Sequence, residues 1–196
     1  MHKLISPHGD KDHMGEAKKI VESISVNKVI FNVGSYNYLE KDLIKTLKKK
    51  NIRYYKNIEN IYIGNTSIYF LNTGIYNNEN DNSNVIYLKY NNYKFLFMGD
   101  AGVEKERDIL KKYNISNIDV LKVGHHGSKT SSGKKFIDEI NPKYSIISVG
   151  KNNRYGHPNK EVLNNLSDSK IYRTDQDGSI MFKIKKDKFQ IEICSP

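Results

Sequence analysis

The chain has 196 residues, a length that suits one domain with a substantial core. Its 32 Lys and Arg residues outnumber its 22 Asp and Glu residues, and the formal net charge of +10 favours an anionic partner, nucleic acid first among them. The single cysteine, Cys194, excludes an intrachain disulfide and a metal site built from several cysteines, and no apolar run reaches the roughly 20 residues of a membrane helix.

The periodicity of the chain predicts helices that alternate with strands. Residues 3–6 are expected to end a short strand, and the apolar stripe from Ala17 to Ile24 predicts a helix over 15–24. Further helices are predicted over 38–50, 102–112, 133–140 and 159–166. Further strands are predicted over 28–31, 52–55, 61–63, 67–71, 85–90, 93–98, 119–123, 144–149, 170–173, 179–185 and 188–193. No repeat or linker divides the chain, so we predict one α/β domain of helix-covered sheets.

Three local signals refine this prediction. Asn91-Asn92 is a turn signal that predicts a hairpin, and the apolar run from Tyr93 to Met98 predicts a strand covered on both faces. Residues 77–84 are predicted to form a polar loop. Asp177-Gly178 predicts a tight turn, in which Asp175 and Asp177 are interpreted as turn residues rather than metal ligands.

The segment 8–13 is the most informative part of the chain. His8, Asp10, Asp12 and His13 occupy four of its six positions. Imidazole and carboxylate together suit a divalent ion that keeps some water, and such a water is a nucleophile at neutral pH. A solvated polar loop is the alternative, but it rarely uses two histidines.

Three more loops follow predicted strands and carry similar chemistry, at 99–100, 124–128 and 150–158. Asp100 alone would be interpreted as a helix cap, but beside the other loops a metal-bridging carboxylate is favoured. Of the adjacent histidines, His126 is predicted as a metal ligand and His125 as a contact to the substrate or to a ligand, because consecutive side chains diverge.

The remaining polar residues of these loops suit a phosphate group. Three roles remain open for His157: metal ligand, phosphate contact and proton donor. Phosphate oxygens are predicted to contact the side chains of Lys122, Ser128, Lys129, Thr130 and Arg154. For Lys129 taken alone, a solvated loop residue is the better interpretation.

These residues together predict metal-assisted hydrolysis. Two divalent ions about 3.5–4 Å apart can clamp the attacking and leaving oxygens of an in-line displacement. Asp100 would lie between them, and Asp12 would bind metal and accept the proton of the nucleophilic water. Oxygen-rich ligation favours manganese over zinc. A phosphodiester is the expected substrate of such a site in a basic protein.

Five further motifs follow the first in a fixed order. They are Asn82-Ser83, Phe97-Met98-Gly99-Asp100, LKVGHHGSKT at 121–130, VGKNNRYGHP at 149–158 and RTDQDG at 173–178. With HGDKDH at 8–13, this set resembles the metallo-β-lactamase fold and, within it, the hydrolase-like domain of ComEC-family DNA-internalisation (competence) proteins. The usual signature is His-x-His-x-Asp-His, and the ComEC-type version has Asp at the place of Asp10.

The resemblance implies an αββα four-layer sandwich over residues 1–196 and a metal-dependent hydrolase that acts on DNA, with single-stranded DNA as the expected substrate. The implied cofactor is one or two divalent ions, Mn²⁺ or Zn²⁺. The residues on the family's metal-site motifs are His8, Asp10, Asp12, His13, Asp100 and His126. The catalytic pair predicted from the chemistry is Asp12 and His157, with His125, Ser128, Lys129 and Arg154 as substrate contacts.

The chain departs from the family pattern at two places. The fold's central histidine is not visible, and the asparagine-rich loop at 77–84 stands where it would be. The fold normally has several strands before the His/Asp loop, so we expect its first strands to be missing here. An apolar edge would then be exposed and support self-association. Relatives are tied to the cell membrane, but this sequence has no membrane segment or export signal, so its location stays open.

Three functions remain in competition. The first is a metal-dependent nuclease or phosphodiesterase. The second is a catalytically inactive, basic DNA-binding remnant of such a domain. The third is a hydrolase of small esters on the same fold.

Overall fold

The computed structural model describes residues 2–185 and 188–194. The helices are α1 (Lys11–Met14), α2 (Ala17–Ser23), α3 (Tyr38–Lys49), α4 (Val103–Lys112), α5 (Lys134–Ile140), α6 (Lys160–Asn165) and α7 (Thr174–Asp177). The strands are β1 (His2–Ile5), β2 (Val26–Phe31), β3 (Arg53–Lys56), β4 (Asn60–Ile63), β5 (Thr66–Phe70), β6 (Ile86–Tyr90), β7 (Tyr93–Phe97), β8 (Val120–Lys122), β9 (Tyr144–Ile147), β10 (Lys170–Arg173), β11 (Ser179–Lys185) and β12 (Lys188–Cys194).

The strands form two main sheets and a hairpin. Strands β1, β2 and β3 make a parallel sheet in that order. The larger sheet has seven strands in the order β10-β9-β8-β7-β6-β5-β4, with antiparallel pairing from β4 to β7 and parallel pairing from β7 to β10. Strands β11 and β12 pair antiparallel, and Phe182 and Phe189 of this hairpin contact Tyr144 of β9.

Three apolar clusters show how the layers are stacked. Val29 and Phe31 of β2 pack with residues of α2 and α3, including Leu43. On the opposite side of β2, Ile30 packs against Ile68 and Phe70 of β5. A third cluster packs the outer face of the seven-stranded sheet against α4, α5 and α6 and includes Leu96, Ile109, Leu121, Ile137, Ile147 and Val162. The order helix, sheet, sheet, helix confirms the predicted αββα sandwich, and each fully buried aliphatic side chain contributes about 1.5–3 kcal/mol.

The topology brings the four loops of interest to one end of the sandwich. Strands β7, β8 and β9 are neighbours and run parallel, so the residues that follow them lie at the same edge of the large sheet. The loop after β1 approaches that edge from the smaller sheet, since the backbone N–H of Asn84 donates to the carbonyl of Pro7 at 2.7 Å. This edge therefore holds the chemistry predicted from sequence.

The structure corrects several details of the prediction. The helix predicted over 15–24 is α2, at 17–23, and a separate helical turn, α1, precedes it inside the His/Asp segment. The loop at 77–84 contains a 3-10 turn, Glu79–Asn82, and the predicted tight turn is the helical turn α7 followed by Gly178 at φ 69°. Strand β9 ends at Ile147, two residues early.

The apolar strand β7 is not covered on both faces as predicted. Leu96 is fully buried against the outer helices, whereas Phe97 on the opposite face is 40% exposed. The cluster between the two sheets centres on β2, β5 and β6, and Phe189 of the aromatic hairpin contacts Tyr93 and Phe95 of β7. Phe97 is a member of neither group, and its side chain stays partly exposed.

None of the helices within residues 2–185 and 188–194 has the length and apolar character needed to cross a membrane.

Candidate metal centre

The His/Asp segment is held by a short hydrogen-bonded turn. The Ser6 hydroxyl donates to the carbonyl of His8 at 3.0 Å, and the carbonyl of Asp10 accepts from the backbone N–H groups of His13 and Met14. Helix α1 therefore starts directly after Asp10 and carries Asp12 and His13. Met14 is buried at the end of this turn and anchors it in the core.

Helix α3 supports the same segment from behind. Asn37 and Glu40 form a capping box at its N-terminus, and the side-chain amide of Asn37 donates to the carbonyl of Gly9 at 2.5 Å. A Cβ atom at Gly9 would clash with Asn37 Nδ2 and lie 2.6 Å from Glu40 Oε2. Glycine is required there because α3 approaches the loop so closely.

The polar loop before β6 connects the two sheets at the site. The Asn84 side chain donates to the carbonyl of Ser6 at 2.7 Å, and the Ser83 hydroxyl accepts from the backbone N–H of Asp100 at 3.1 Å. Gly99, at φ 58°, fits a left-handed turn in which a Cβ atom would lie 2.9 Å from Ser83 Cβ. The sequence shows Asn82-Ser83 as a motif but does not predict this supporting role for Ser83 or Asn84.

The histidine pair lies on an unusual backbone. His125 and His126 have φ values of 46° and 54°, in the left-handed region that few residues other than glycine adopt. Such strain is typical of functional sites.

The segment that follows this loop is held by helix α4. The buried Glu106 carboxylate accepts hydrogen bonds from the backbone N–H groups of Ser132 and Gly133 at 2.5 and 2.9 Å. Glu106 is a further supporting residue that the sequence does not reveal. Helix α4 is rich in charged residues, and the sequence does not show that this one is buried.

Four side chains from three loops meet at one point. The ligand atoms of Asp12, His13, Asp100 and His126 all lie within 4.8 Å of one another. His13 Nε2 is 3.1 Å from Asp100 Oδ1, and His126 Nε2 is 3.2 Å from Asp12 Oδ2. His126 Nδ1 lies 2.7 Å from the carbonyl of Ser148, which can accept a hydrogen bond from Nδ1–H and leave Nε2 free to bind a metal.

The other two predicted ligands lie on the far side of Asp100. His8 Nε2 is 3.6 Å from Asp100 Oδ2 and 3.4 Å from Asp10 Oδ2. His125, the other histidine of the pair, also faces this side, since its Nε2 is 3.9 Å from Asp100 Oδ2. The other five predicted metal ligands therefore lie around the buried carboxylate of Asp100.

The charges at the site interact strongly. Burial raises the pKa of Asp100. The hydrogen bond from His13 and the charges of His13, His8 and His125 lower it by more, and the pKa falls to about 2. Burial lowers the pKa of His8, which favours the neutral imidazole that binds metals. For His13 the opposing effect of burial is overcome by Asp100 and Asp12, and the pKa is raised.

The predicted substrate residues surround this cluster. The His157 ring lies 6.0 Å from the ring of His125 and stacks on Tyr155, on which the exposed Arg154 guanidinium rests at 4.8 Å. Burial and the nearby histidines lower the pKa of His157. Lys129 is exposed on the loop after the histidine pair.

Two of the residues expected to contact phosphate have other partners. Ser128 is buried, and its hydroxyl lies 3.0 Å from that of Thr130, which in turn lies 3.2 Å from His125 Nδ1. Lys122 donates to the carbonyl of Val123 at 3.1 Å, and burial lowers its pKa.

The donor set fits a divalent ion. Imidazole nitrogens and carboxylate oxygens are the ligands that zinc and manganese use in proteins. His8 is fully buried, and within the described part of the chain neither of its ring nitrogens has a hydrogen-bond partner. A buried polar group without a partner calls for an explanation such as a bound ion.

The fold and this site define a class of protein. The model of the metallo-beta-lactamase superfamily matches residues 4–151, and the chain belongs to that superfamily. Its hydrolase fold is shared by solved structures of low sequence identity. A proposed metal-dependent hydrolase from Parabacteroides distasonis is 15% identical, with a TM-score of 0.56 over 88% of this chain and 76% of that one. The metallo-beta-lactamase fold protein YhfI from Bacillus subtilis is 11% identical, with a TM-score of 0.51 over 88% and 75%.

Competence and recombination proteins are similar to this chain in sequence. ComE operon protein 3 of Bacillus subtilis is 32% identical over 93% of the chain, and Recombination protein 2 of Haemophilus influenzae is 28% identical over 98%. Competence protein ComA of Neisseria gonorrhoeae is 37% identical over 44% of the chain. The chain spans 24% and 23% of the lengths of the first two relatives.

Proposed function

We propose that this chain is a divalent-metal-dependent phosphodiesterase that cleaves DNA, with single-stranded DNA as the substrate. The observation that carries the proposal is the meeting of Asp12, His13, Asp100 and His126 within 4.8 Å. This donor set suits Mn²⁺ or Zn²⁺. The net charge of +10 suits a polyanionic substrate, and the similar competence proteins support DNA as that substrate.

A divalent ion held by these residues would supply Lewis-acid chemistry for the hydrolysis of a phosphodiester. Asp12 is suited to accept the proton of the attacking water, because its carboxylate is 54% exposed while its Oδ2 stays in contact with His126. His157 is suited to donate a proton to the leaving oxygen, since it stands beyond His125 at the open side of the cluster.

Positive groups around the cluster bind the DNA backbone in this proposal. Arg154 and Lys129 are both exposed, on the loops after β9 and β8. The guanidinium of Arg154 stacks on Tyr155 and through it on His157, so a phosphate bound by Arg154 lies near the proton donor. Ser128 acts indirectly, through its contact with Thr130.

The test is digestion of end-labelled single-stranded DNA with and without Mn²⁺. We expect cleavage that requires the metal and falls at least 100-fold in Asp12→Ala. Asp138→Ala is the matched control, because Asp138 is an exposed carboxylate paired with Lys134 on helix α5. The control variant should cleave like the wild type.

The competing functions give different results in the same assay. DNA that is retained but not cleaved, with affinity falling steeply as salt rises, would identify an inactive DNA-binding domain. Turnover of small esters with DNA left intact would identify an ester hydrolase.

We also propose that the chain associates with itself through an exposed sheet edge. Within the described residues, β1 pairs with β2 alone, and the partly exposed Phe97 lies on the inner face of the larger sheet. An unpaired strand edge favours the addition of a strand from another chain, and exposed apolar surface favours association. Sedimentation velocity should show a concentration-dependent dimer, and a monomer at all concentrations would contradict this proposal.

A further inference from the structure

We infer that single-stranded DNA binds a second surface of this chain, a groove on the outer face of the larger sheet beside the C-terminal end of helix α4. Unpaired bases stack there on tyrosine rings, and phosphates pair with lysine and arginine side chains. The choice of DNA rests on the proposed function. The surface itself goes beyond that function, because among the residues that the structure describes none of the six predicted metal ligands lines the groove.

The alternation of side chains in β4, β5 and β6 places tyrosines on the outer face of the sheet. Ile61, Ile68 and Leu88 pack in the cluster between the two sheets. Successive side chains of a strand point to opposite faces, so the neighbours of these three residues point outward. The outward residues are Tyr62, Tyr69, Tyr87 and Lys89.

The three tyrosines form one aromatic surface. The ring centroid of Tyr69 lies 6.2 Å from that of Tyr62 and 6.2 Å from that of Tyr87. The helices of the outer layer pack on β6 to β9, and Tyr62 on β4 is 64% exposed. The aromatic surface therefore opens to solvent at β4, where a base can stack whatever its identity.

The end of helix α4 forms the other wall of the groove. The ammonium group of Lys112 and the hydroxyl of Tyr113 both donate to the carbonyl of Asn72, at 2.7 and 2.8 Å. Between this wall and the outer face of β5 and β6 lies a cavity of about 730 Å³. This volume is in the range of ligand sites, and the asparagine amides that also line the cavity can bond to the edges of bases.

The groove continues from this cavity in both directions. A cavity of about 830 Å³ between α4 and α5 shares residues 112–115 with it. Another, of about 480 Å³, shares Asn57, Asn72 and Lys112. Lys112 lines all three cavities, so they form one continuous path around the end of α4. A path of this kind suits an extended strand of several nucleotides.

Exposed cationic side chains line this path along its length. Two of them, Lys111 and Lys134, pair with acids of their own helices. The others form no ion pair with a carboxylate within residues 2–185 and 188–194, and they are Lys56, Lys89, Arg107, Lys112 and Lys135. An ammonium group has three donors, so Lys112 can bind a phosphate while it keeps its contact with Asn72.

The acids of the groove do not balance these charges. Glu106 is buried, and its carboxylate accepts from two backbone N–H groups. Glu59 and Glu139 are the exposed acids that line the described groove, against five cations without an acidic partner. The excess of positive charge suits a polyanion.

The position of Lys89 favours a single strand over a duplex. Its Nζ lies 5.3 Å from the ring centroid of Tyr87 and 5.8 Å from that of Tyr69. A phosphate bound by Lys89 therefore lies beside the aromatic surface, as a phosphate lies beside its base in an extended strand. A duplex stacks its bases on one another and cannot offer their faces to tyrosine rings.

The first test measures the phosphate contacts by fluorescence anisotropy of labelled oligothymidylate in EDTA, which prevents cleavage. The double variant Lys89→Ala, Lys112→Ala should bind about 10-fold more weakly than the wild type. The slope of log affinity against log salt should fall by about 1.4, the value for two lost contacts to a single strand. The matched control is Lys45→Ala, Lys49→Ala, which removes two exposed lysines of helix α3 and should bind like the wild type.

The second test measures stacking with the charge unchanged. Tyr62→Ala should weaken binding of the single strand about 5-fold or more and leave binding of the duplex unchanged. Tyr38→Ala is the matched control, because Tyr38 is 72% exposed at the start of α3. Circular dichroism checks that each variant is folded in EDTA.

Crosslinking gives a readout that needs no variant. A strand that contains 5-iodouracil, irradiated on the wild-type protein and mapped by mass spectrometry, should label Tyr62, Tyr69 or Tyr113. Crosslinks confined to other surfaces would overturn the inference. Equal affinities of the groove variants and their controls would also overturn it, as would a protein that binds no single-stranded DNA, and the groove would then serve another occupant such as an acidic peptide.

The outcomes separate this inference from the proposed function. A protein that cleaves DNA in Mn²⁺ but binds it equally well in the groove and control variants retains the function and loses the second surface. A protein whose groove variants lose affinity as expected, but which leaves DNA intact with Mn²⁺, retains the second surface and loses the nuclease activity.

Discussion

His126 Nε2 lies 3.2 Å from Oδ2 of Asp12, a contact between side chains that are 114 positions apart in the sequence. Asp12 is carried by the helical turn after β1 of the three-stranded sheet, and His126 follows β8 of the seven-stranded sheet. The contact therefore closes the site between the two sheets. Residues that fix the loops of one sheet against the other should control metal affinity even though they do not bind the metal.

Gly9 gives a direct test of this dependence. A Cβ atom at residue 9 would collide with Asn37 and Glu40 of helix α3, so Gly9→Ala must shift the loop that carries His8 and Asp10. We expect a 10–100-fold loss of Mn²⁺ affinity, measured by isothermal titration calorimetry. Gly150→Ala is the control, because nothing lies within 4 Å of its added Cβ, and its affinity should match that of the wild type.

Ser83 should matter through the backbone of Asp100. Replacing Ser83 with Ala removes the hydroxyl that accepts from the N–H of Asp100, a buried hydrogen bond worth about 1 kcal/mol, and loosens the Asp100 carboxylate. Titration with Mn²⁺ should show weaker binding than in Ser145→Ala. Ser145 is an equally buried serine paired with Ser169 away from the site. Equal affinities in the two variants would show that Ser83 does not position Asp100.

Glu106 should make stability depend on pH. Burial raises its pKa from 4.5 to about 7 despite the two backbone N–H groups that it accepts from. Between these values the folded protein binds more protons at this residue than the unfolded chain, so its contribution to stability falls as the pH rises from about 4.5 to 7.

The matched variant for this effect is Glu106→Gln, which does not titrate. From pH 4.5 to pH 8, the free energy of unfolding of the wild type should fall relative to this variant by on the order of 3 kcal/mol. Urea denaturation of both proteins in a chelator, followed by circular dichroism, measures the difference. Parallel pH profiles would mean that the buried carboxylate does not titrate in this range.

Leu96 and Phe97 are neighbours on opposite faces of β7 and should respond differently to truncation. Leu96 is fully buried, so Leu96→Ala should cost about 2–5 kcal/mol of unfolding free energy. Phe97 is 40% exposed, so Phe97→Ala should cost less than about 2 kcal/mol despite the larger side chain. Chemical denaturation checks both values, and a larger loss for Phe97→Ala would indicate that its face is covered in solution.

The sequence predicted the position of the site better than its supporting contacts. Strands that run parallel side by side place their following residues at one sheet edge, and this rule predicts that Asp100 and His126 lie close together. The contacts of Ser83, Asn84 and Glu106 could not be predicted in the same way. Each depends on the distance between two loops or helices, which leaves no periodic signal.

The failed prediction for β7 has an equally local cause. Phe97 was expected to be buried because the apolar run from Tyr93 to Met98 does not reveal how far the opposite sheet extends. The positive φ values of His125 and His126 likewise leave no signal in the sequence, and only the structure shows them.

The central claim is that Asp12, His13, Asp100 and His126 bind a divalent ion, and anomalous X-ray diffraction from crystals grown with Mn²⁺ tests it most directly. The map at the manganese absorption edge should contain a peak within about 2.3 Å of ligand atoms from all four residues. Crystals that show manganese only elsewhere, with these four side chains in place and no peak between them, would contradict the claim.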